Sequence, residues 1–221
     1  MTTATVGPIH IVGAGPGVGA AVARRFGRAG HSIGLIARDR QKLIAVSQGL
    51  SAEGFDVTYC AADATNPDAV DHALTTLAER QGTPRVLTFS PHPNIDLIKP
   101  VLDTTAQDLG SALALSVVGV AAAVQNVLPA MLESGNGSLL FVTGSAVMNP
   151  TPTRAVSAVS GFAEKAYLEL LASAVADRPV HAAHLVVVGS VGVGLKHDPD
   201  DVAERLWRLH DEATDTFAVM P

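Results

Sequence analysis

Two hydrophobic rhythms alternate along the chain. Short runs rich in Val, Ile and Leu at 8–12, 32–37, 56–61, 85–89, 138–143, 180–187 and 216–219 have the length and β-branched content of strands. Between them, apolar residues return at helical spacing. Val18, Ala21, Val22 and Phe26 share one face of a helix over 17–29. Leu43, Val46 and Leu50 mark the next helix, which Asp39 can cap. Helices also fit 67–81, with Asn66 as cap, a long stretch from about 105 towards 131, a stretch after Pro150 and Pro152 running to about 177, and 199–212. Pro91, Pro93 and Pro100 make the segment before the long helix a loop.

The strand runs are nearly continuous in apolar residues, 180–187 most of all, as strands buried on both faces require. The expected fold is α/β: a doubly wound parallel sheet with helices on both faces, Rossmann-like, forming a single domain over 1–221. No linker, low-complexity tract or repeat beyond the strand–helix rhythm breaks it.

Composition narrows the function. Of 221 residues, 48% are hydrophobic and 16% charged, enough for a sizeable core and against disorder. Fifteen Lys and Arg against 21 Asp and Glu give a net charge of -6, the wrong sign for a nucleic-acid footprint. Cys60 is alone, so no internal disulfide or Cys-rich metal site is possible, and no His, Asp or Glu spacing suggests a metal. The start, Met-Thr-Thr-Ala-Thr, lacks the charge and apolar run of a signal peptide. The apolar stretch 113–132 is broken by Ser116, Gly119, Gln125, Asn126 and Pro129, and reads as a buried helix rather than a membrane span. A cytoplasmic protein with a small-molecule substrate, and neither a nucleic-acid nor a membrane partner, is expected.

Residues 11–19 read Ile-Val-Gly-Ala-Gly-Pro-Gly-Val-Gly between the first strand and the first helix. Glycines there permit a tight turn and let backbone N–H groups and the helix N-terminus approach a pyrophosphate. The expected contacts are Gly13, Gly15, Gly17, Val18 and Gly19. An NAD site places an acid at the end of the second strand for the ribose 2′-hydroxyl. Here Ala37 stands in that place and Arg38 follows, and a guanidinium suits a 2′-phosphate. NADP(H) is therefore favoured over NAD(H). Asp39 is the competing ribose ligand, although a helix cap explains it more simply.

With these features the chain resembles the short-chain dehydrogenase/reductase family over nearly all its length. Gly13, Gly17 and Gly19 match the family's glycine spacing, Asp63 its adenine-contacting acid, and 128–131 the end of its long fourth helix. The stretch 137–145 resembles the strand that delivers a catalytic serine, Ser145, and 199–206 the family's late helix. The sequence Val188-Gly189-Ser190-Val191 resembles the turn that clamps the nicotinamide, without its proline. The resemblance thus implies cofactor contacts at Asp63, Ser90, Gly189 and Val191 beside the glycine turn and Arg38.

The departures concern catalysis. Family members usually carry an Asn-Ser-Tyr-Lys tetrad, whose Tyr and Lys are four apart on one helix. The two tyrosines, Tyr59 and Tyr167, are followed four residues later by Asp63 and Leu171, so this chain has no such pair. Depending on register, Val156 or Ser157 replaces the Tyr and Ser160 or Gly161 the Lys, while Ser116 takes the Asn position. Only Ser145 remains. The usual substrate lid is also cut short near 193–198, which predicts a shallow, open site.

His92, just past the fourth strand, is the candidate general acid. Arg154 is a candidate for holding an acidic substrate; Lys165 and Tyr167 lie too far along their helix, and His10 and His184 read as satisfied core residues. Two functions follow. One is an NADP(H)-dependent oxidoreductase of non-standard mechanism using Ser145 and His92. The other is a protein of the same fold that binds nucleotide without hydride transfer: a cyclase- or isomerase-like enzyme, a sensor or a non-catalytic subunit. The helices over 105–131 and 157–177 are apolar round more than one face, which predicts a homodimer or homotetramer through them.

Overall fold

Strands β1 (Ile9–Val12), β2 (Ile33–Ala37), β3 (Val57–Ala61), β4 (Val86–Phe89), β5 (Gly137–Gly144), β6 (Val180–Val187) and β7 (Phe217–Met220) form one sheet in the computed structural model. Their order is β3-β2-β1-β4-β5-β6-β7 and every pairing is parallel. The structure describes residues 6–221, so the leader-free start read at Met1–Thr5 lies outside the described residues.

Helices α1 (Val18–Arg28), α2 (Arg40–Ala52) and α7 (Pro199–Glu212) cover one face of the sheet. There Val22, Phe26, Leu43, Leu50 and Leu206 pack on Ile9, Ile11 and Leu185. Helices α3 (Pro67–Gln81), α5 (Val120–Ser134) and α6 (Ala155–Ala174) cover the other face, with Leu74, Val124, Val127 and Leu168 against Val12, Phe89 and Phe141. Both faces of the sheet's inner strands are therefore dry, which is why those runs read as nearly unbroken apolar stretches, while the edge strands β3 and β7 stay partly exposed. The caps are as expected: Asp39 accepts from the N–H groups of Gln41 and Lys42, and Asn66 from that of Ala69.

Five details differ from the sequence reading. The long helix is not uniform: α4 (Ala106–Leu113) passes through a π-helical segment, Ala114–Gly119, before α5. A Cβ at Gly119 would overlap the Ala64 carbonyl oxygen, so the widened turn sits where the helix meets the end of β3's connection. The proline-rich loop contains two short 3₁₀ turns, Ile95–Leu97 and Val101–Asp103, and α6 ends at Ala174 rather than near 177. His10 is not a satisfied core residue: it is fully buried and neither ring nitrogen has a partner among the described residues. His184 is satisfied on one side only, Nε2 lying 2.7 Å from Thr143 Oγ1 while Nδ1 has no partner. Periodicity places a strand histidine in the core but cannot tell whether a donor or acceptor faces it across the helix layer.

By length and mean hydropathy (1.8), the helical stretch Ala106–Ser134 is apolar enough to cross a membrane. In the fold it lies along the sheet beside α3 and α6, and 28% of its most apolar window is buried.

Candidate active site

The expected site residues converge on the carboxyl ends of the strands, at the switch point where β1 lies between β2 and β4. β1 runs directly into Gly13, whose φ of +97° only glycine adopts without strain. The amides of Gly13 and Ala14 donate to the Ile36 carbonyl at 2.9 and 3.0 Å, tying the turn to β2. A Cβ at Gly19 would lie 2.7 Å from the Ala14 Cα, so this glycine lets α1 close on the strand. Gly15 and Gly17 face open space, and no side chain caps α1. The turn thus has two packing glycines and two that leave the backbone accessible, and Val18 begins the helix behind them.

Arg38 is exposed immediately beyond Ala37, and no carboxylate pairs with it among the described residues. Asp39 is occupied: it caps α2 and its other oxygen lies 3.3 Å from Lys42 Nζ. Asp63, beyond β3, accepts from the amide and hydroxyl of Thr65, both at 2.9 Å. The Ser90 amide donates to the Val12 carbonyl at 2.9 Å, while its hydroxyl is buried with no partner among the described residues.

Ser145 opens a 3₁₀ turn, Ser145–Val147, at the end of β5. Helix α6 packs on this turn, and a Cβ at Gly161 would sit 3.5 Å from that of Val147. Val156 and Ser160 are buried on the inner stripe of α6, with Glu164, Leu168 and Leu171 below them. Glu164 is the residue that the sequence reading passed over. Burial, with no cation paired to it among the described residues, raises its carboxyl to about 8, and the Ser116 hydroxyl of the π-helical segment offsets only part of this. The available signal was a lone acid in an otherwise apolar i, i+4 stripe.

His92 is exposed, and its Nδ1 lies 2.9 Å from the Pro93 carbonyl oxygen, so the ring is held against its own loop. The far end of that loop is pinned: Lys99 Nζ donates to Asp108 at 3.0 and 3.1 Å, and the Lys99 carbonyl accepts from the Ala155 amide at 3.2 Å. The Asp108 carboxyl, which also accepts from the amide and hydroxyl of Thr105 in a capping box, is held down at about 2 by these contacts. Beyond β6, Gly189 has φ +129° and a Cβ there would meet the Lys196 side chain at 2.6 Å. Val191 bridges His197, closing a tight loop whose tip exposes Val193 and Leu195. Arg154 is exposed at the N-terminus of α6. Among the described residues no three metal-ligating side chains cluster.

Residues 8–198 match the family described as short chain dehydrogenase. A stretch of 161 residues is 26% identical to the glycine betaine reductase ATRR of Emericella nidulans, covering 73% of this chain and 12% of that protein. The chain spans between 51% and 61% of several other curated relatives. Among solved structures, a metagenomic short-chain oxidoreductase in complex with NADP superposes with a TM-score of 0.84 at 22% identity, over 96% of each chain. An NADPH-bound short chain oxidoreductase from Pseudomonas aeruginosa PAO1, described as containing an atypical catalytic center, superposes with a TM-score of 0.86 at 16% identity, over 96% of this chain and 94% of that one.

Proposed function

Because the chain belongs to the short chain dehydrogenase family, we propose that it binds NADP(H) at the carboxyl ends of its strands and reduces or oxidises a small molecule without a tyrosine–lysine pair. The observation that carries this reading is Arg38: an exposed guanidinium with no carboxylate partner among the described residues, one residue beyond Ala37 at the end of β2, the strand that the glycine turn is tied to. The residues present fit the nucleotide. Gly15 and Gly17 leave space for a pyrophosphate against the uncapped start of α1, and the buried, unpartnered Ser90 hydroxyl lacks a partner that a ligand can supply. Asp63, Gly189 and Val191 complete the proposed cofactor contacts, with Gly13, Val18 and Gly19 shaping the turn. When bound, the cofactor supplies or accepts the hydride.

The chain's own residues do the rest. The Ser145 hydroxyl orients the substrate oxygen or nitrogen by a hydrogen bond. The proton comes from water or from the protonated ring of His92, an exposed residue whose Nδ1 lies against the Pro93 carbonyl. The lid cut short near 193–198 leaves the substrate end open, and a substrate with its own proton source, or with an activated C=C or C=N bond, can dispense with a tyrosine. The two solved neighbours carry NADP and NADPH in their own sites, in keeping with the cofactor choice. The proposed assembly is a homo-oligomer through α4–α5 and α6, where Val118, Phe162 and Leu170 are exposed.

The test is a titration of NADPH and NADH against the wild type and Arg38→Ala. Tighter NADPH binding in the wild type is expected, and the variant is expected to lose about 1.5–3 kcal/mol of it. Equal affinities in the wild type would sink the proposal. A second reading, binding without hydride transfer, is favoured by the absence of a Tyr or Lys from α6 in either register, Val156 or Ser157 for the one and Ser160 or Gly161 for the other. Binding without turnover over a broad carbonyl and imine panel would select it.

A further inference from the structure

At the amino ends of the strands, away from the glycine turn, lies a cavity of about 780 Å³ that the proposed function does not use. Its walls carry His31 before β2, Arg85 before β4, Arg178 and His181 at the start of β6, and Trp207 and His210 near the end of α7. The imidazoles are oriented. His31 Nδ1 lies 2.7 Å from the Gly7 carbonyl oxygen, so Nδ1 holds the proton and Nε2 keeps its lone pair. His210 Nδ1 lies 2.7 Å from Ser138 Oγ. The two rings are 5.7 Å apart, and both pack edgewise on Trp207, at 6.2 and 5.4 Å. His181 Nε2 is buried with no partner.

The charges do not balance. Arg85 is partly buried and Arg178 exposed, and neither has a carboxylate partner among the described residues. The acids nearby are Asp211, on the cavity wall, and Asp215, which faces His181. Burial first, then the charge of Arg85, hold His31 below its ordinary range. Burial first, then His31, Arg85 and His181 against Asp211, hold His210 down at about 4. A partly desolvated guanidinium facing unprotonated imidazoles is a site short of negative charge.

We propose that this cavity is a second ligand site, for a small molecule bearing a carboxylate or a phosphate. Arg85 and Arg178 pair with the oxyanion, and the imidazoles of His31 and His210 add N–H donors as they take up protons beside it. The volume suits a metabolite-sized ligand, since such sites occupy about 300–1,000 Å³. A cation has no acidic cluster to bind there, and a wholly apolar ligand would leave the His181 nitrogen and both guanidiniums unmet. This site does not depend on the nucleotide reading, because it lies at the opposite edge of the sheet.

Inorganic phosphate and benzoate, titrated separately into the full chain, distinguish the two oxyanion sources, with histidine C–H resonances and calorimetry as readouts. Saturable binding of at least one is expected, with the His31 and His210 resonances moving and their titration midpoints rising. Arg85→Gln is expected to weaken that binding by about ten-fold, while NADPH affinity is unchanged. Arg178→Gln, at an exposed position, gives a second variant if the first misfolds. Two results would overturn the proposal: no movement of these resonances with either anion, or undiminished binding in the folded variants.

Discussion

Gly13 and Pro91 approach so closely that one added carbon at Gly13 would fall 2.5 Å from the Pro91 nitrogen. The contact joins the glycine turn after β1 to the loop after β4, the two segments that flank the switch point. Gly13→Ala meets both this overlap and a φ of +97°, and is expected to cost more than about 1–3 kcal/mol, the usual strain of such a conformation alone. Gly15→Ala, with open space around it, is expected to keep its stability. Urea unfolding of the pair checks this, and equal midpoints would refute it.

Glu164 gives stability a pH dependence of unusual sign. Its folded carboxyl sits at about 8 against an ordinary 4.5, so the folded state holds the proton more tightly. The stabilisation is fully present below about 4.5 and is lost as pH rises through about 8. Glu164→Gln keeps the shape and the hydrogen-bonding end of a neutral acid. Its urea midpoint is therefore expected to change less between pH 5 and pH 8.5 than that of the wild type; parallel profiles would show that Glu164 is ionised in the fold.

The buried histidines act in the other direction. Burial lowers His10 and His184 from 6.5 to about 4, so both are neutral in the fold. Their contribution is complete above 6.5 and is lost as pH falls through about 4. In the Glu164→Gln background stability is expected to fall below pH 6.5, His10 and His184 adding to the loss of the same sign from His31, His181 and His210. Imidazole resonances of these two residues that titrate near 6.5 in the folded protein would contradict it.

Leu170, 72% exposed on α6, and Phe162, 44% exposed, belong to an apolar face with nothing against it in a single chain. A two-fold pairing of α4–α5 and α6 would cover that face. Leu170→Glu is expected to shift the protein towards monomer without loss of secondary structure. Light scattering that finds the wild type monomeric at micromolar concentration would remove the basis for the pairing.

The sheet, its helices and the glycine turn were legible because each rests on local chemistry. Alternating periods mark elements, Asn66 and Asp39 mark helix starts, and Gly13 marks a turn. The π-helical segment was not legible, because its position answers to the Ala64 carbonyl, a neighbour far away in sequence. The same holds for Glu164, whose burial depends on the long helix, and for the cavity of His31, Arg85 and His210, which is drawn from the starts of separate strands. Residue spacing reports on one element at a time, and these features belong to contacts between elements.

The strand order also dictates a sequence of events in folding. β1 lies between β2 and β4, and β4 pairs Val86 with Ile9 across a long stretch of chain. The chain must therefore finish β2, β3 and the helices between them before the centre can close, and until then β1 presents an unpaired edge. Pairing at such sequence separation is slow compared with helix formation. Synthesis thus passes through a stage in which an edge of the buried strand β1 is open, and aggregation competes there more than in the finished fold.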